Sequence, residues 1–255
     1  MSSLSEPSVE VAAPAAASVP SVWSRAVSIF LRPHQAWDGL DRRVQFWFPL
    51  LLVAVLSAGA MVLTYDKVML PTILEPIQKQ VADGQVQQAQ ADRMEDFFSS
   101  PAGRAMNVGM QFLGVIISTL LVALFVWLGG AFILGRPFRY RLALEVASWA
   151  GLVTLPGVLL VNAIAYGRGT SLRSVHLGFG ALLPETETPS KLLLGLGVFL
   201  DAIGPLGIWF LAVVILGVST LAQSPRKTTA WVMSGLYLAL ILLAAGLAAV
   251  FSPGT

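Results

Sequence analysis

Five long apolar stretches constrain this chain more than anything else in it. Residues 46–64 and 107–134 carry no charge, 142–166 carry one acid, Glu145, 192–222 carry one, Asp201, and 228–251 carry none. A bilayer core about 30 Å thick is crossed by roughly 20 apolar residues in a helix. Lipid offers no partner to backbone N–H and C=O groups, so each stretch has to satisfy its own hydrogen bonds as a helix. A membrane β-barrel would alternate apolar and polar residues, whereas these stretches are apolar on every side. The expected fold is all-α: a polytopic bundle of five transmembrane helices near residues 46–65, 107–134, 142–166, 202–222 and 228–251. The fourth stretch is too long for one simple span and contains Gly195, Gly197, Gly204 and Pro205. Residues 192–200 therefore read as an interfacial or tilted lead-in. Gly204 and Pro205 mark a break, and Asp201 sits near the mouth of the span, where a carboxylate caps a helix start.

The rest of the composition narrows the function classes. Hydrophobic residues make up 56 % of the chain and charged residues 12 %, against about 25 % charged in soluble domains. Sixteen Lys and Arg nearly balance fourteen Asp and Glu, which lacks the basic excess that neutralises nucleic-acid phosphates. The absence of cysteine removes disulfides, thiolate metal sites and a cysteine nucleophile. His34 and His176 have no metal-ligand spacing, and no zinc-protease, serine-hydrolase or phosphate-loop motif is present. No catalytic residue, metal or cofactor is expected, and no nucleic-acid partner.

Residues 1–20, rich in Ala, Pro and Ser, lack the basic start and apolar run of a signal peptide and read as a disordered tail. Next, Val22, Ala26 and Phe30 recur at four-residue spacing, as do Trp23, Val27 and Leu31, with Ser24, Arg25, Ser28 and Arg32 opposite. Ser21 caps this helix and Pro33 ends it. Such a helix suits the membrane interface; Trp23, Val27, Phe30 and the following Trp37 are its expected anchors. A second short helix over 34–43 completes an interfacial region spanning residues 21–45. Residues 66–106, Gln-rich and punctuated by Pro71, Pro76 and Pro101, form a polar extracytoplasmic loop with one or two short helices.

Two short connectors are purely basic: one holds Arg136, Arg139 and Arg141, the other Arg226 and Lys227. Such loops stay cytoplasmic. With five spans, the N-terminus is expected inside and the C-terminus outside. Glu145 lies four residues after Arg141, the spacing of a local ion pair at the interface. Ionisable residues inside spans are costly and often functional, so Glu145 and Asp201 also stand as candidate carriers. Asn162 is a third intramembrane polar residue, suited to bonding a neighbouring helix, and Pro156 should kink the third span. Ala143, Ala147 and Gly151 form a small stripe for close helix packing, as do Gly235 and Ala239 and then Ala244 and Ala248. Most of the seven Trp fall near span ends, as an aromatic belt would place them.

Several of these segments together resemble the bacterial Yip1 family of five-helix membrane proteins. Ile29-Phe30-Leu31-Arg32-Pro33 followed by Trp37 is similar to the family's opening. The run Glu145-Val-Ala-Ser-Trp-Ala-Gly-Leu-Val-Thr-Leu-Pro156 is similar to its small-residue stretch ending in Leu-Pro. Asp201, Trp209 and Gly217 follow its fourth-helix pattern, and Arg226-Lys227 its basic turn. The resemblance implies a Yip1-like domain over residues 46–251 in the bacterial inner membrane. Eukaryotic members contact small GTPases and carry an Asp-Leu-Tyr-Gly-Pro-like motif before the first helix. Here the one similar string, Asp201-Ala-Ile-Gly204-Pro205, lies in the fourth span, which counts against small-GTPase binding.

The resulting expectation is a non-enzymatic integral protein that organises membrane or partner proteins, in contact with the bilayer and with other membrane proteins or copies of itself. The alternative is a transporter, channel or lipid-moving subunit using Glu145 and Asp201.

Overall fold

The apolar stretches fold as helices, in a computed structural model that describes residues 20–184 and 190–251. The proposed tail lies, but for its last residue, outside the described residues. Ten α-helices follow in order: α1 (Val22–Leu31), α2 (Trp47–Thr64), α3 (Leu70–Ala82), α4 (Gln88–Ser99), α5 (Pro101–Trp127), α6 (Tyr140–Gly151), α7 (Leu155–Arg168), α8 (Lys191–Ala202), α9 (Pro205–Leu221) and α10 (Arg226–Phe251). There is no strand among the described residues. Four continuous helical segments are long and apolar enough to cross a membrane: Trp47–Ala82, Pro101–Ile133, Tyr140–Arg168 and Arg226–Val250. The fifth is a broken pair, α8 and α9, bent by 53°.

The first two spans overrun their expected limits. A π-helical turn, Tyr65–Met69, joins α2 to α3, so one helix runs 36 residues. At 1.5 Å per residue that is about 54 Å, well beyond a bilayer core. The helix runs on through Pro71, just past the π-helical turn, and through Pro76 inside α3. Pro101 opens α5, so the second long helix starts there and not at Asn107. The region 66–106 is thus less a loop than a helical hairpin. Asp66 pairs with Arg104 at 2.6 Å, and the same guanidinium lies 5.2 Å from the centre of the Tyr65 ring.

The third span is stepped where Pro156 falls. Helix α6 ends at Gly151, one 3₁₀ turn covers Leu152–Thr154, and Pro156 sits in the first turn of α7. A tighter turn before a proline absorbs the missing hydrogen bond. Helix α6 is the core of the bundle: Ala143, Val146, Ala147, Trp149 and Ala150 are all buried on it. Small residues also set the α8–α10 contact, where a Cβ on Gly195 would lie 2.9 Å from the Ala245 carbonyl oxygen.

Between α1 and α2 the expected second interfacial helix is absent. Residues 34–43 are a succession of turns, with Gly39 at φ 75°. This strap folds over the end of the bundle. Trp37 is only 1 % exposed and packs on α9, where a Cβ added to Gly217 would stand 2.8 Å from its ring. Trp37 is therefore a core side chain and not an interfacial anchor. Trp149 is fully buried too, so the aromatic belt does not account for these two tryptophans.

Candidate functional site

Two polar clusters stand out, one at the basic end of the bundle and one at the break between α8 and α9. The first lies at the basic end, under α1. The helical pattern assigns Arg25 to the water-facing side, but the structure turns it inward: Arg25 and Ile29 are the buried residues of α1. Trp23, Val27, Phe30 and Leu31 are exposed instead. Arg25 Nε donates to Gln45 Oε1 at 2.9 Å and Nη2 to the Asp38 carbonyl at 2.9 Å. Nη1 donates to the Ala36 carbonyl. The guanidinium claims carbonyls that a helix over 34–43 would use for its own bonds, and this competition is the physical reason the second interfacial helix does not form. Burial pushes the Arg25 guanidinium down from its ordinary value, and the Glu145 and Asp38 carboxylates push it back up; a guanidinium stays charged in proteins regardless.

Glu145 completes this cluster. It is fully buried. Its Oε1 accepts the Gln45 backbone N–H at 2.7 Å, and its Oε2 accepts the Trp149 indole N–H at 3.2 Å. Arg25 lies 5.7 Å from the centre of the Trp149 ring. Gln45 thus bridges a buried cation and a buried anion, with its side chain to one and its main chain to the other. The expected local pair with Arg141 does not form. Arg141 donates instead to the Asp41 carbonyl at 2.7 Å, a second tie between the strap and α6. Carried by α1, the strap and α6, the cluster locks the N-terminal helix to the bundle.

Around it the surface is basic. Arg32, Arg42, Arg43, Arg136, Arg139, Arg226 and Lys227 are exposed here, against two exposed acids, Asp38 and Asp41. The two basic turns that the sequence separates by ninety residues meet at one end because α5–α6 and α9–α10 are antiparallel pairs.

The second cluster surrounds Asp201. The carboxylate does not cap a helix start. It lies in the last turn of α8, and the N-cap of α9 is Gly204. Its Oδ2 is 2.6 Å from His176 Nδ1, and its Oδ1 accepts the Gly178 backbone N–H at 3.3 Å. Nothing in the sequence pairs His176 with Asp201, because the connector between them has no periodicity. Close backbone approach makes the pairing possible: a Cβ on Gly178 would fall 2.5 Å from Asp201 Cα, and one on Gly180 2.5 Å from Asp201 Oδ1. Gly204, beside Pro205 at the break, is equally confined, with the Gly178 Cα 2.7 Å from where its Cβ would be.

Asn162 joins neither cluster. It accepts from Thr64 Oγ1 at 3.0 Å and donates to the Val158 carbonyl at 2.9 Å, linking α7 to α2. Among the described residues no group of three acidic or His side chains is arranged to hold a metal.

Four long apolar helices and a broken fourth span define a polytopic α-helical membrane protein. The family model of the Yip1 domain matches residues 27–248, from the middle of α1 to near the end of α10, and the chain belongs to the Yip1 domain family. No curated protein matches the chain, and no solved structure does.

Proposed function

We propose that this protein is a non-enzymatic organiser of the bacterial inner membrane, with its basic end in the cytoplasm and its C-terminus outside. That end is a preassembled platform for partner proteins. The observation that carries this reading is the cluster of Arg25, Gln45 and Glu145, which fixes α1 rigidly beside seven exposed cations. The orientation follows from the preference of short basic loops for the cytoplasmic side. The exposed Trp23, Val27 and Phe30 give the platform an apolar edge at the headgroup level. Glu145 has both carboxylate oxygens engaged by fixed donors, so this reading gives it a structural role. The alternative of a transporter or lipid-moving subunit then rests on Asp201 alone.

The test is capture of the intact protein from native membranes with surrounding lipid. Its comparator replaces Arg136, Arg139, Arg226 and Lys227 by Gln. Deleting α1 would be a poor comparator, because Arg25 and Ile29 belong to the core. A stoichiometric protein partner is expected with the native chain and not with the variant. Recovery of the protein with lipid only, or equal recovery of the partner by the variant, would count against the platform.

A further inference from the structure

The connector after α7 does not stay outside the bundle. The Leu172 backbone N–H donates to Thr72 Oγ1 at 2.9 Å, beyond the apolar part of the first span. Val175 packs with Ala165, three residues before the end of α7. Leu177 and Leu206 both reach Gly157, eleven residues before Arg168, or about 17 Å back along the helix. Gly178 then meets Asp201. The chain therefore re-enters the bundle and descends beside α7 as far as the α8–α9 break.

Two measures give the depth of that break. Helix α9 has 17 residues, which places Pro205 about 25 Å from the basic end of the helix. The Tyr237 hydroxyl, about 17 Å along α10, donates to the Ala202 carbonyl at 2.8 Å. Both depths fall within a bilayer core of about 30 Å. Irregular backbone at such depth is tolerated where it is enclosed by protein or lines a cavity, and here it lines one. A cleft of about 190 Å³ is bounded by Val161, Val175, Leu177, Asp201, Pro205 and Leu206, among others.

Among the described residues Asp201 is the one charged residue lining this cleft, and its side chain is 35 % exposed. Among the described residues, the other titratable or charged groups on the surrounding elements are Arg173 and His176 on the connector, Tyr237 on α10, Tyr166 and Arg168 near the outer end of α7, and Lys191 at the outer end of α8. The break sets the negative end of α8 beside the positive end of α9, so the partial charges at the two adjoining helix ends offset each other and the carboxylate dominates. A carboxylate at bilayer depth calls for one compensating positive charge. Its partner imidazole supplies that charge only when protonated.

We propose that the cleft binds a small monovalent organic cation, an ammonium group on an apolar body, in competition with the proton of His176. The ammonium pairs with Asp201 while its apolar body lies against Val161, Val175, Leu177 and Leu206. Where the imidazole carries its proton, binding displaces that proton to water, so the net charge of the cleft is unchanged. An anion would face the carboxylate. A divalent cation would find one acidic ligand where it needs several.

The test is equilibrium binding of radiolabelled n-butylammonium to the full chain in phosphatidylcholine nanodiscs, corrected for empty discs. One saturable site is expected, insensitive to excess n-butanol. Its affinity should fall about tenfold or more as the pH is lowered from about 8 to about 5, the range in which imidazoles change charge. His176→Gln should keep the site and lose that pH dependence, and Asp201→Asn should lose the site. Absence of saturable binding, displacement by n-butanol, or a pH dependence that survives in His176→Gln would overturn the proposal. Full binding by Asp201→Asn would overturn it too, and the His176→Gln comparison decides the matter even where Asp201→Asn does not fold.

Discussion

Replacing Glu145 by Leu is expected to destabilise the protein by about 3–5 kcal/mol, the cost of stranding a buried charge. The stranded group is Arg25, fully buried and left without the one acid inside the bundle near it. The Gln45 backbone N–H and the Trp149 indole N–H lose their acceptors at the same time. Arg25→Met should be damaging for a related reason, since it leaves the buried Glu145 carboxylate with Arg141 as its remaining nearby cation. The double variant, Arg25→Met with Glu145→Leu, should be clearly less destabilised than the sum of the two. Buried ion pairs replaced together by apolar groups often cost little, and groups in one network are not additive. Reversible unfolding in mixed detergent micelles measures all three. Strict additivity would show that Arg25 and Glu145 do not act as a pair.

The second large effect concerns Trp37. As an anchor lying in lipid headgroups, it would tolerate truncation at small cost. Packed on α9, Trp37→Ala should cost about 3–5 kcal/mol, as large-to-small changes of buried aromatics do. Gly217→Ala should cost about 1–3 kcal/mol, because its methyl group would collide with the indole. Combined, the two should cost less than their sum, since removing the ring makes room for the methyl group. The same unfolding assay distinguishes the two placements, and a cost below about 1 kcal/mol for Trp37→Ala would return this residue to the interface.

Membrane thickness explains why the helices were legible in the sequence. An apolar run long enough to span admits one backbone solution, so the α-helical class, the long apolar helices and the break at Gly204 and Pro205 could be read directly. The ends of the spans were less legible. Asp66 and Lys67 mark the limit of the apolar run but not of the helix, which continues through a π-helical turn to Ala82.

Side-chain direction on α1 was misread because a helical pattern sends every arginine to water. The carbonyls, Gln45 and Glu145 that draw Arg25 inward come from other segments, and Glu145 is 120 residues away. Asp201 looked like a cap because Pro205 follows it closely. Its actual partners come from a connector without periodicity, positioned by Gly178 and Gly180, whose signal is the space they leave rather than any motif.

In the proposed function, α1 is an integral part of a rigid basic platform. Hydrogen exchange of the full chain in nanodiscs, followed by mass spectrometry, tests it directly. The amides of Val22–Leu31 should be protected as strongly as those of α6 in the native chain, and Arg25→Met should lower that protection selectively. Exchange across α1 as fast as that of an unstructured peptide, in the native chain, would mean that the helix is not locked to the bundle and would contradict the account.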